Sequence, residues 1–304
     1  MRPLAVVTRF ATIGAVASVA FVPVHSASAQ ATWAAVDAAL GRSGAAQPAG
    51  VMKYAFPRGD LQVVAGGVAL KPAFALGSWV AFKPIAGGHA MVMGDLVLTE
   101  DEVTPVMRAL QSGGVEQTAV HNHVLHESPR VMYVHISAHG DASDIARTIR
   151  SALSLTRTPL GAPSAPAVAS AADLDTAGIA RALGVSGKLN GVVYQVTVPR
   201  GETIREGTEE IPASMGVATA INFQPTGGGK AAITGDFVMR ATEVNDVIRA
   251  LQQGGIESTA LHSHMLMEEP RLFFMHFWAN DDAVRLAGVL HAALAKTNSQ
   301  MAPR

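Results

Sequence analysis

The chain contains no cysteine among its 304 residues. That excludes a disulfide framework and any thiolate metal site, so a bound metal must rely mainly on nitrogen and oxygen donors. Aromatic residues are few, with three Trp and three Tyr, and charged residues make up 15% of the chain, with a formal net charge of −1. A chain with no basic stripe lacks the electrostatic footprint of a nucleic-acid-binding protein. There is no Gly-x-Ser-x-Gly nucleophile elbow. The run Gly227-Gly228-Gly229-Lys230 lacks the upstream glycine of a phosphate loop and reads as a hairpin turn between two strands. Beyond about the first thirty residues no run is apolar enough to span a bilayer.

What is present begins with a leader. Arg2 and Arg9, an apolar run over 11–24 and the small-x-small triplet Ala27-Ser28-Ala29 predict a secretory signal peptide over 1–29. The run is too short to serve comfortably as a membrane span, which needs about 20 residues. The expected location is the periplasm or the cell exterior, with no transmembrane segment after cleavage. Hydrophobic residues make up 49% of the chain, enough for a sizeable core.

The remainder states one pattern twice. His121, His123, Glu127, Pro129, Arg130 and His135 recur at identical spacing as His262, His264, Glu268, Pro270, Arg271 and His276, while the hydrophobic positions between them drift. The repeat extends upstream: Pro57-Arg58-Gly59-Asp60 answers Pro199-Arg200-Gly201-Glu202, and Arg108-Ala109-Leu110-Gln111 answers Arg249-Ala250-Leu251-Gln252. A Gly pair follows each of the latter, and Gly94-Asp95 is answered by Gly235-Asp236. So long a period implies two homologous halves and not a solenoid. The expected division is a first repeat over 30–157, a Pro/Ala-rich linker over 158–174 and a second repeat over 175–304.

Each half reads as a short helix, three strands, an amphipathic helix, a hairpin carrying the histidines and a final helix. Val103, Val106, Met107 and Leu110 have the i, i+3, i+4, i+7 spacing of a helix face, as do Val244, Val247, Ile248 and Leu251. Pro105 leaves the start of the first of these helices unfixed. Local hairpins make the sheets mostly antiparallel with helices on one face. The fold class is therefore α+β, two such halves related by a pseudo-two-fold axis.

Residues two apart on a strand share a face, so His121 and His123 point the same way. A symmetric turn over 127–130 would set His123 opposite His135, and three imidazoles would cluster in each half with a glutamate at the end. That donor set suits Zn²⁺, Fe²⁺, Mn²⁺, Ni²⁺ or Cu²⁺. A lone buried histidine is often only a hydrogen-bonded core residue, but six matched ones argue for a site. In this reading His121, His123, His135, His262, His264 and His276 are ligands. Glu127 and Glu268 are catalytic bases or further ligands, and Arg130 and Arg271 hold an anionic group. Asn122 and Ser263 differ between the copies and are expected off the site, His126 is expected to face solvent, and His89 and His139 lack the pattern but could still assist the first site alone. Asp95 and Asp236 read as structural turns, and the methionines of the strands as core filling.

The pattern Thr-Ala-x-His-x-His, followed by Pro-Arg and a further His, resembles the LppY/LpqO family of bacterial exported proteins, as does Gly-Asp-Leu-Val-Leu-Thr-Glu-Asp-Glu-Val over 94–103. The resemblance covers both halves. It implies export but little chemistry, since that family is itself a domain of unknown function. Named members are lipoproteins, and this chain has no cysteine at the signal junction, which favours a soluble periplasmic form. Three functions remain: a metal-dependent hydrolase, a non-catalytic periplasmic metal-binding or carrier protein, and a module binding a small molecule or a cell-wall glycan or peptide.

Overall fold

A computed structural model describes residues 25–161 and 173–301. The leader residues 1–24 and linker residues 162–172 lie outside the described residues. The first half runs α1 (His25–Leu40), β1 (Ala45–Ala46), β2 (Met52–Pro57), β3 (Gly77–Pro84), β4 (Ala90–Thr99), α2 (Glu100–Ser112), β5 (Glu116–His121), β6 (Val131–Gly140) and α3 (Ala142–Leu153). The second runs α4 (Thr176–Leu183), β7 (Lys188–Asn190), β8 (Val193–Pro199), β9 (Ala218–Gly227), β10 (Lys230–Met239), α5 (Val244–Gln253), β11 (Glu257–His262), β12 (Phe273–Asp282) and α6 (Ala283–Leu294). Each half forms one six-stranded antiparallel sheet, ordered β1-β2-β3-β4-β6-β5 and β7-β8-β9-β10-β12-β11. The expected α+β architecture of two similar halves is what the structure has.

The helix α2 starts ahead of Pro105. Thr99 caps it in a capping box with Glu102, and the helix carries through the proline. The glycine pair after it has two separate jobs. A Cβ on Gly113 would sit 2.3 Å from the Thr148 side chain of α3, while Gly114 takes a φ of +75°. Gly254 and Gly255 repeat both features, with Val289 of α6 as the near neighbour.

Strand β4 is buried along nearly its whole length because it is covered on both faces. Val92, Leu96 and Leu98 face the helices of their own half. Met91, Met93 and Val97 face clusters to which the other half contributes. The covering is reciprocal. A segment over 61–76 of the first half lies on the second sheet, where Gln224 donates to Ala69 O (2.9 Å) and accepts from Lys71 N (2.9 Å). Asn222 donates to Phe74 O and Gln195 to Ala73 O. A segment over 204–217 of the second half lies on the first sheet, where Lys53 donates to Ser214 O and Lys83 to Glu210 O. The start of the predicted linker is held on the first half: Arg42 donates to Pro159 O and Gly161 O, and Leu160 packs on that half's core.

The Pro-Arg-Gly-Asp repeat encodes a buried buttress. The Arg58 side chain is fully buried and bonds Asp60, Glu102 and Val97 O, tying β2 and β4 to the cap of α2. Arg200 does the same with Glu202, Glu243 and Val238 O. Removing one partner of such a buried pair leaves an uncompensated charge, a loss of about 3–5 kcal/mol. Arg58→Ala and Arg200→Ala are each expected to lower stability by about that amount in urea unfolding. A loss below about 1 kcal/mol, the range of exposed pairs, would show the network to be solvated.

Candidate metal centre

The histidine hairpins differ from the expected register. β5 ends at His121, which pairs with Tyr133, and a bulge between Gln117 and Ala119 sets Ala119, not His123, opposite His135. The second hairpin matches it, with His262 opposite Phe274 and Ala260 opposite His276. His123 and His264 therefore lie just past the strand ends, in the loops, and reach the cluster from there. His123 stacks on Tyr133 with ring centroids 3.2 Å apart, and His264 stacks on Phe274 at 3.5 Å.

The six imidazoles form one cluster between the halves, not one in each. His121 and His262 stack on each other with centroids 3.7 Å apart. His123 faces His276 at 3.8 Å and His135 faces His264 at 3.8 Å. Exchanging the halves maps each of these contacts onto itself or onto the other. Hydrogen bonds around the cluster obey the same exchange: Thr118 donates to His264 O and Thr259 to His123 O. Asn122, expected off the site, also crosses, donating to Thr259 O. Expecting a separate cluster per half took each hairpin as self-sufficient, whereas the edge strands β5 and β11 lie beside each other and present their histidines to a common space.

Burial and tautomers prepare these rings as donors. His121 Nδ1 donates to Asn122 O (3.1 Å), His264 Nδ1 to Gly216 O (3.1 Å) and His276 Nδ1 to Gly235 O (2.7 Å). A carbonyl can only accept, so in the neutral rings of His121 and His276 the Nε2 atom carries the lone pair. Among the described residues, all six Nε2 atoms are buried without a hydrogen-bond partner, as are Asp95 Oδ1 and Asp236 Oδ1. Donor atoms of His121, His123 and His276 lie within 4.8 Å of one another, as do those of His121, His135 and His262, and of Asp236, His262 and His276. Each triad includes ligands on both sheets or an aspartate beside two histidines. Ligand atoms around a tetrahedral zinc are about 3.3 Å apart, so small adjustments close the distance.

Asp95 and Asp236 are the residues that sequence reasoning placed wrongly. They are not turns between strand and helix. They sit inside β4 and β10, directly across from His135 and His276. Asp95 Oδ2 lies 3.7 Å from His123 Nε2 and Asp236 Oδ2 lies 2.9 Å from His264 Nε2. The glycine before each aspartate is there for close strand approach: a Cβ on Gly94 would meet Trp79 O at 2.7 Å, and on Gly235 would meet Ala220 O at 2.0 Å. The readable signal was a carboxylate recurring inside an apolar run, which burial forbids unless it has a partner.

Glu127 and Glu268, expected at the end of each cluster, brace their own turns. Glu127 accepts from Val131 N, and Glu268 accepts from Leu272 N and pairs with Arg271. Neither belongs to the groups of close donors. Arg271 also holds Met265 O and Leu266 O, while Arg130 is exposed and 3.9 Å from Glu100. Both arginines stand on the turns and away from the imidazole nitrogens. His126 is exposed as expected, and His89 and His139 are exposed as well.

Burial sets the protonation. Desolvation, reinforced by His276 and His264, pulls the His121 imidazole down to about 3. Burial and neighbouring imidazoles also hold His123 and His135 well below the ordinary histidine value, and burial lowers His262 and His276 against the pull of Asp236. Burial and the charge of Asp236 push Asp95 up to about 7 against His264 and Lys53. For Asp236 burial is outweighed by His276 and His264, so its carboxyl is held below the usual range. His121, His123, His135, His262 and His276 are thus held toward the neutral form, the one that binds metal.

These shifts fix a sign. In the unfolded chain these five histidines take up protons near pH 6.5, and in the folded chain they resist doing so until the pH is lower. The stability of the metal-free protein is therefore full above about pH 6.5 and falls as pH drops from there toward 3. Each imidazole kept neutral contributes up to about 1.4 kcal/mol per pH unit. In buffer with chelator, the urea midpoint is expected to fall steeply between pH 7.5 and pH 5. A midpoint unchanged over that interval would contradict the burial argument.

Two solved structures show a faint likeness to the chain. One is the trimeric bacterial microcompartment shell protein PduB, at 13% identity over 83% of this chain and 89% of that one, with a TM-score of 0.21. The other is EtuB from Clostridium kluyveri, at 10% identity over 83% and 90%, with a TM-score of 0.19. Among curated proteins none matches. A family profile described as Domain of Unknown Function (DUF1259) matches residues 34–155 and again 177–296. The two matches fall on the two six-stranded halves, and the chain belongs to this DUF1259 family as a tandem duplicate.

Proposed function

We propose that this protein binds a first-row transition metal, enclosed between its two halves, and that holding the ion is its principal chemistry. The observation that carries the reading is the set of six buried imidazole Nε2 atoms without partners, three of them oriented by Nδ1–H donation to a backbone carbonyl. A buried polar atom left unpaired costs about 1–3 kcal/mol, and a divalent cation satisfies several at once. Nitrogen and carboxylate donors without sulfur suit Zn²⁺, Fe²⁺, Mn²⁺, Ni²⁺ or Cu²⁺. The cation would also hold both aspartates as anions, removing the conflict between two close carboxylates. The resemblance to LppY/LpqO proteins and the leader-like opening support a periplasmic or extracellular setting, where the protein would retain or carry the metal.

Purified protein is expected to contain stoichiometric metal by elemental analysis, and His121→Ala or His262→Ala to reduce it sharply, since these two rings stack at the centre of the cluster. Metal-free wild-type protein that takes up none of the five ions would end the proposal.

Hydrolysis is the second reading, and Glu127 favours it. Burial pushes its carboxyl up to about 7, and its Oε2 is buried without a partner, as suits a general acid or base. A metal-dependent hydrolase needs a coordination position open to substrate, whereas every donor nitrogen here is shielded from solvent. If the protein hydrolyses simple phosphate or carboxylic esters, Glu127→Gln is expected to lower kcat by about 10²–10⁴ with metal content unchanged. Equal rates in the two proteins would remove Glu127 from the chemistry.

A further inference from the structure

We infer that the centre holds two ions per chain, each bound by two histidines of one half and a third from the other. This deepens the metal-binding reading and rests on it. The assignment follows from counting nitrogens. His121 Nδ1 is committed to Asn122 O, which leaves Nε2 as its one lone pair, and one lone pair serves one ion. Yet His121 belongs to two of the close triads, one with His123 and His276 and one with His135 and His262. Giving His121 to the first leaves His135 and His262 for a second ion.

The third ligand of that second ion is His264. It lies 3.8 Å from His135 and 5.0 Å from His262, centroid to centroid. Exchange of the halves turns the first triad into this one, and the distances follow: His123–His276 is 3.8 Å and His121–His123 is 5.3 Å. A single ion on three histidines would leave three buried Nε2 atoms unpaired, whereas two ions use all six.

The aspartates fit the same count. His264 Nε2 lies 2.9 Å from Asp236 Oδ2, so an ion on His264 has this carboxylate within reach. Asp236 also groups with His262 and His276, which belong to different ions in this assignment. It is thus placed between the two ions. Asp95 takes the equivalent position opposite His135 in the first sheet. Two carboxylates between two three-histidine sites supply a ligand set for a carboxylate-linked pair of ions.

The test is a Co²⁺ titration of the metal-free full-length chain, followed by calorimetry and visible absorption. Two Co²⁺ per chain are expected. One Co²⁺ per chain would overturn the two-ion assignment while leaving metal binding intact, and none would overturn metal binding itself. Pairs of substitutions test the exchange between halves. His123→Ala with His276→Ala strikes a single ion and should retain one Co²⁺. His123→Ala with His135→Ala strikes both and should retain none. The opposite pattern, with the second pair keeping one ion, would show each half binding alone and sink the assignment. Far-UV circular dichroism checks folding; for a pair that does not fold, His→Gln replacements at the same positions give the same reading, and the wild-type count needs no variant.

Discussion

Six imidazoles held out of water at a junction between two sheets are the constraint on which this molecule depends. Each ring brings its Nε2 into a space where water does not reach it. The surrounding fold has to tolerate that cost, so the rings are stacked, braced by aromatic partners and oriented by backbone carbonyls. The same burial suppresses protonation, which would otherwise place several like charges within a few ångströms of one another. The result is a preorganised nest of donors.

Around this centre the two halves exchange covers. Helices protect the outer face of each sheet, and the inner face is protected partly by a segment of the other half. The side chains that fasten these segments are amides and lysines on the strands, bonded to backbone carbonyls that would otherwise be stranded. Duplication alone would give two folds joined by a tether. Reciprocal covering makes each half incomplete without the other, and it brings β5 and β11 together so that their histidines meet. Among the described residues no helix is long and apolar enough to cross a membrane.

Much of this was legible because the chain repeats itself. Matched polar residues at constant spacing marked the histidines, and the strands and helices followed from apolar periodicity. The register did not follow. A bulge at Gln117 shifts the pairing, and no side-chain pattern announces a bulge. A glycine beside an aspartate looks like a turn, while here the glycine serves close strand contact and the aspartate stands inside a strand beside the imidazoles. The linker's first residues looked like tether and are partly core.

The sequence by itself determined the two-part α+β organisation, the identity of the six histidines and the absence of sulfur donors. Those are properties of local spacing and composition, which a single strand or helix expresses wherever it sits. The tertiary structure alone decided which imidazole meets which, that the aspartates join them, and that there is one centre and not two separated ones. Such pairings depend on how two surfaces dock, and docking is set by shape and burial summed over many residues from distant parts of the chain, a quantity no local pattern carries.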